Sequence, residues 1–207
     1  MKRGIFFKVF VAVLLSMLAL LGVCEAISKE VSGGIVRLHV IANSNRQHDQ
    51  AVKLLVRDEV LRVSKELSEG KAFGLSFAQL HEDLLIGAAN HILKENNCDY
   101  TCRLETGNFF FPTRKYESLT LPAGNYDAVR IILGEGNGEN WWCVMYPPLC
   151  FTQYATDALT KEQHQQLLHA LGETGYRLAT EESIVIKPAF KAVEIWENVK
   201  RRLTQKG

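Results

Sequence analysis

YDAVRIILGEGNGENWWCVMY, residues 126–146, decides the fold. Its two ends are apolar runs rich in β-branched and aromatic residues, and the glycine-rich GEGNGEN between them reads as a hairpin turn. In the second run Trp141, Cys143 and Met145 alternate with Trp142, Val144 and Tyr146, and both alternating sets are apolar. Such a strand is covered on both faces or shows one aromatic face to a partner. Further back, Tyr100 to Leu104 and Asn108 to Phe111 flank a Thr106-Gly107 turn with the same period of two. The spacing therefore predicts an antiparallel meander of about four strands from Cys98 onward. Pro112 and Pro122 fall at strand ends, where a missing N–H is tolerated.

Around this meander the period is helical. Arg37 to Ala42 is a first strand, Leu38, Val40 and Ala42 alternating against Arg37, His39 and Ile41. Ser44-x-x-Gln47 is a capping-box pattern that opens a helix to about Leu67, with Val52, Val56, Val60, Val63 and Leu67 as its buried stripe. Ser76-x-x-Gln79 opens a second, with Phe77, Leu80, Leu84, Ala88 and Ile92 inward, ending before Asn96-Asn97. Thr160-x-x-Gln163 opens a third, with Leu167, Leu168 and Leu171 apolar, and Pro188 starts a last one carrying Ala189, Val193, Trp196, Val199 and Leu203 inward. The expected fold is α+β: an antiparallel sheet of four to five strands with helices packed on one side, preceded by an N-terminal hydrophobic export segment.

That segment sets the compartment. Lys2, Arg3 and Lys8 precede Val9 to Val23, an apolar run of about 15 residues, shorter than the roughly 20 of a spanning helix. Cys24 and Ala26 form a small-x-small cleavage pattern. Residues 1–26 read as a signal peptide or N-terminal membrane anchor, and 27–207 as a single extracytoplasmic domain. Cleavage at Ala26 leaves 21 basic against 22 acidic side chains, a balance that argues against nucleic acid as a partner. Contact with membrane is expected only through the N-terminal segment.

An exported domain with Cys98, Cys102, Cys143 and Cys150 fits disulfides, for which three pairings exist. A local bridge from Cys143 to Cys150, around Pro147-Pro148, is the first hypothesis; reduced buried thiols and a metal site are the competitors. A bridge across that loop of about eight residues stabilises by about 2.5 kcal/mol on the loop-entropy model. The CxxxC and CxxxxxxC spacings lack the tight pairs of structural zinc sites.

Catalytic patterns find no support. His39, His48, Asp49 and Asp58 can gather at the first strand-to-helix junction, but their spacing matches no metal template. His81-Glu82-Asp83 begins like HExxH and has Leu85 where the second His belongs. GEGNGEN lacks a following GK[ST], and there is no GxSxG. No cofactor is expected.

RLHVIANSNRQHDQAVKLLVRD at 37–58, FPTRKYESLTLPAGNYDAVRIILGEGNGENWWCVMYPPLCF at 111–151 and the export segment together resemble the stage II sporulation protein R family of endospore-forming bacteria. The resemblance spans essentially the mature chain. Asn45 and His48 stand where the family commonly has acidic residues, which argues against acid/base chemistry in that loop. The resemblance implies a non-enzymatic signal, made in the forespore and exported into the intermembrane space. Its partner there is a membrane-embedded aspartic protease that processes the sigma-E precursor. Two candidate contact sets stand beside it: the aromatic set Trp141, Trp142, Tyr146 and Leu149, whose alternative is core packing, and the polar set Arg37, His39, Asn43, Gln50, Arg57 and Asp58, whose alternative is a buried network fixing the first strand against the first helix. The alternative is an exported hydrolase of cell wall or peptide, centred on His39, His48 and Asp58.

Overall fold

A computed structural model describes residues 2–68, 73–116, 119–150 and 159–180. At its centre is β1 (Val36–Ile41), all six residues buried, in a four-stranded sheet of order β2–β5–β1–β6. β1 runs parallel to β5 (Gly124–Leu133), with Leu38 beside Val129, and antiparallel to β6 (Asn140–Tyr146), with Leu38 opposite Cys143. β2 (Cys102–Phe111) pairs antiparallel with the far side of β5. The fold is α+β as the periods predict, but the sheet is mixed rather than antiparallel.

The difference has a physical source. Residues 126–133 and 141–146 are both strands, yet they are not hairpin partners, because β1 occupies the place between them. Segment 134–139 spans two strand spacings, roughly 10 Å, which a chain of that length covers easily. Thr106-Gly107 is not a turn either: Gly107 pairs with Ala128 in an unbroken register, so β2 is one long strand. Apolar alternation identifies strands but not which one inserts.

One face of the sheet is covered by α2 (Gln47–Ser68) and α4 (Glu82–Glu95). Val52, Val56 and Val60 of α2 pack there as the stripe predicts. The second predicted helix is broken at His81, which separates α3 (Leu75–Leu80) from α4. That break shifts the buried phase by one residue: Leu85, Ala89 and Leu93 face the core, while Leu80 and Leu84 are 79% and 55% exposed.

Helices also cover the opposite face, not one side alone. The last turn of α1 (Lys2–Ser32) and α5 (Lys161–Thr180) pack there with a small ribbon, β3 (Arg114–Tyr116) and β4 (Leu119–Leu121), around Val31, Ile35, Phe111 and Tyr126. The cap predicted for α5 is present: Thr160 N–H donates to Gln163 Oε1 at 2.9 Å, and Gln163 N–H to Thr160 Oγ1 at 3.2 Å. Leu167 and Leu171 are buried and Leu168 faces out. The predicted helix from Pro188 lies outside the described residues. Large apolar side chains of α1, among them Ile5, Phe6, Phe10, Leu15, Leu20 and Val23, are exposed, and among the described residues no helix is long and apolar enough to cross a membrane.

α1 and α5 meet at contact distance. A Cβ on Gly34 would collide with the Ala170 carbonyl, and one on Gly175 would meet Glu30 O at 3.6 Å. Gly34→Ala must therefore force the two segments apart, at a cost of about 1–3 kcal/mol. Gly74→Ala, whose Cβ has open space, should stay within about 1 kcal/mol. Urea denaturation of the two variants checks the difference.

Candidate functional site

The family-like segment after β1 forms a polar knot around one carboxylate. Asp49, in the first turn of α2, is fully buried. Its Oδ2 accepts from Ser44 Oγ at 2.5 Å, Asn43 Nδ2 at 3.0 Å and Arg46 Nη2 at 3.3 Å, and its Oδ1 accepts from Tyr100 OH at 2.9 Å. Burial alone would raise its pKa; the donors from Ser44, Tyr100 and Asn43, with the Arg46 charge, outweigh that and hold it at about 2. The same segment grips the loop that crosses the end of β1. Asn43 Oδ1 accepts from Glu135 N–H at 3.0 Å and Asn45 Oδ1 from Glu139 N–H at 2.7 Å. Gln50 donates to Ser44 O, and Lys53 Nζ bridges Gln50 Oε1 at 2.6 Å and Glu139 O at 3.0 Å. Gly134, at φ 52°, leaves room for the Asn43 amide where a Cβ would strike it.

On the face opposite α2 lie Arg37 and His39. Arg37 is completely buried; its Nε donates to Cys143 O at 3.0 Å and its Nη2 to Tyr116 OH at 3.3 Å, with the guanidinium 4.6 Å over Phe111 and 5.2 Å over Tyr126. Its ring neighbours replace part of the hydration it loses. His39 stacks on Trp142 at 3.7 Å between centroids and contacts Asn140 Oδ1 through Nε2 at 2.8 Å. Burial first, then Arg130 and Arg37, drive its pKa down to about 4 against the Asn140 bond, so the imidazole is neutral at pH 7.

The third group is on the α2 side. Arg57 lies 4.3 Å over Trp141 and pairs with Asp58 at 2.7 Å. Asp58 keeps 45% of its side chain exposed. Trp141, Trp142, Tyr146 and Leu149 are all half-buried: Trp141 and Tyr146 pack on the α2–α4 core, Trp142 and Leu149 on the other. Cys143 and Cys150 are bridged, with Cα atoms 5.6 Å apart, and fasten the middle of β6 to the chain after Pro148. Cys98 and Cys102 are free thiols, and burial pushes Cys102 up to about 11. A thiol held there is no nucleophile at neutral pH.

The six polar candidates thus occupy three places. Asn43 and Gln50 belong to the knot, Arg37 and His39 to the opposite face, and Arg57 and Asp58 to the outer side of α2. The sheet separates His39 from Asp58, and His48 is an exposed first-turn residue whose Nε2 lies 3.1 Å from Asn96 O. Ser44 bonds the Asp49 carboxylate directly, without an imidazole between them. No group of three metal-ligating side chains occurs among the described residues. Sequence reasoning missed Tyr100, Lys53, Tyr116 and Asn45. Their roles depend on segments distant in the chain, and only the capacity of Asn to accept from a loop N–H was readable locally.

A sequence model of the family "Stage II sporulation protein R" matches residues 32–156, which contain both the knot and β6. Stage II sporulation protein R of Bacillus subtilis (strain 168) is 30% identical over 179 residues, covering 80% of this chain and 79% of that protein. No solved structure matches.

Two buried groups give acid sensitivity in separate windows. His39 has a folded pKa of about 4, below its unfolded value near 6.5. The unfolded chain therefore takes up its proton first, and stability falls as pH drops through that interval. Asp49, also depressed, contributes above pH about 4 and loses its contribution as pH falls toward about 2. His39→Gln should flatten the upper window. Asp49→Asn should cost roughly 2 kcal/mol at neutral pH and flatten the lower one. Urea titrations at a series of pH values read both.

Proposed function

The chain belongs to the stage II sporulation protein R family, and from that premise we propose that it is an exported signal that activates a membrane-embedded aspartic protease. It leaves the forespore, reaches the intermembrane space, and there switches on the protease that cuts the sigma-E precursor. The observation that carries this reading is the match across residues 32–156, which takes in both signature segments. The wiring of the site agrees with it. Within the first signature, Asn43, Asn45, Gln50 and Lys53 are spent on the chain's own loops, as suits a scaffold, while Asp58 stays open to solvent. The basic N-terminus followed by the exposed apolar stretch of α1 supports export, with residues 1–26 acting as a signal peptide or anchor.

Activation by a ligand needs preferential binding to the active form of the protease. A tenfold population shift needs about 1.4 kcal/mol of differential affinity. The Trp141–Arg57–Asp58 stack is the contact we favour. It combines an aromatic ring with a guanidinium held against it and a carboxylate open to solvent, the residue types that concentrate binding energy. Tyr146 packs on the same core as Trp141, whereas Trp142 and Leu149 lie on the opposite face of the sheet and are left out of this contact.

Co-expression of the chain with the protease and the sigma-E precursor in a non-sporulating host tests this. Precursor cleavage should require the chain, and Asp58→Lys should reduce it about tenfold or more while leaving folding unchanged. Cleavage of equal extent without the chain contradicts the proposal.

A further inference from the structure

The face of the sheet opposite α2 carries a row of basic side chains with too few acids. Arg130 of β5 lies beside His39 of β1 in the parallel pairing, and Arg37 is two residues back along β1. Each is backed by aromatic rings: Arg130 by Phe109 at 4.6 Å, His39 by Trp142, Arg37 by Phe111 and Tyr126. Glu105 pairs with Arg130 at 3.1 Å. Arg37 has no ion pair among the described residues, and its Nη1 is buried with no hydrogen-bond partner. The Nε of Arg130 is buried and unpartnered as well.

A buried guanidinium with an unused N–H is an expensive arrangement, because the group has left water without recovering all its bonds. The planar fork of arginine matches a carboxylate best among common anions. We propose that this face is a recognition site for a carboxylate, received by Nη1 of Arg37. Arg130 adds to the attracting field. Arg37 has no exposed surface, so entry requires the cover above it to shift. Of the groups against the guanidinium, Phe111 and Tyr126 are fully buried, whereas Tyr116, whose hydroxyl accepts the 3.3 Å bond from Nη2, is half-buried and is the one free to move. Leu119 and Leu121 anchor the β3–β4 ribbon in the core, so the movement is that of the half-buried Tyr116 side chain and not of the ribbon. The carboxylate is either a free small acid or an acidic side chain of a docked segment. Both present the same group to Arg37, and the site stands whether or not the chain activates a protease.

The test uses the full chain in detergent micelles, titrated with sodium acetate and, separately, with sodium chloride at equal ionic strength. NMR of the His39 ring is the reporter. The groups facing it are Arg37 and Arg130 as charges and Asn140 as hydrogen-bond partner, with Glu105 on Arg130 and Arg114, Tyr116 and Tyr126 around Arg37. A bound carboxylate neutralises the repulsion from the two arginines, so acetate should shift the ring resonances saturably and raise the His39 pKa, while chloride should not. The blocked peptide acetyl-Gly-Glu-Gly-amide separates the sources: tighter binding than acetate identifies a docked acidic segment, weaker binding a free acid. Folded Arg37→Met should lose the response. Absence of a saturable acetate effect on the wild-type chain overturns the proposal without need of the variant. So does an equal effect of acetate and chloride, or a response that survives in folded Arg37→Met.

Discussion

The placement of β1 between β5 and β6 is the constraint on which the remaining architecture depends. A strand with neighbours on both edges and layers on both faces must bury every residue, and here those residues include Arg37 and His39. One face meets this demand with an ordinary aliphatic core beneath α2 and α4. The other must accommodate a guanidinium and an imidazole, and does so with Phe111, Tyr126 and Trp142. The crossing segment 134–139 follows from the same topology. Because β5 and β6 are not neighbours, it passes over the end of β1, where Asn43 and Asn45 hold its N–H groups.

This organisation accounts for the density of polar residues in ANSNRQHDQ without invoking chemistry. Asp49 is ionised, buried and bonded by donors from two separate parts of the chain, the segment from Asn43 to Arg46 and Tyr100, an arrangement that fixes a loop. Beyond β6, the Cys143–Cys150 bridge anchors an edge strand that pairs with β1 alone among the described residues. The strand that carries the two tryptophans is thereby held just before its start, where Asn45 accepts from Glu139 N–H, and at its middle by the disulfide at Cys143.

Much of this was legible in the sequence, and the failures have identifiable causes. The strands β1, β5 and β6 and the phase of α2 followed from periodicity, and the α5 cap from Thr160 and Gln163, because each depends on neighbours within a few residues, whereas the expected pair 100–104 and 108–111 is the single strand β2, and the short β3 and β4 carry no periodic signal. The Cys143–Cys150 bridge was anticipated from two cysteines framing a proline turn. Strand order was not readable: the apolar runs at 126–133 and 141–146 look like hairpin arms whether or not a third strand separates them. Arg37 and His39 are readable only as the polar half of an alternating strand, either a partner contact or a buried network, and alternation alone does not show that a central strand buries them on the face away from α2. The break at His81 has no strong local signal, so the stripe of the second helix was drawn one residue out of phase. Of the candidate contact residues, local sequence could not distinguish Asn43, tied internally, from Asp58, open to solvent. That difference is made by residues ninety positions away.

Native-state hydrogen exchange, resolved by residue, tests the central role of β1 most directly. If β1 is the strand on which both layers depend, amides of Leu38, His39 and Val40 exchange only through global unfolding, with opening free energies at the maximum for the protein and above those of edge strand β2. Exchange of the β1 amides through a smaller opening, while β2 and β5 stay protected together, would show that β1 is an appendage to a β2–β5 core and would contradict this account.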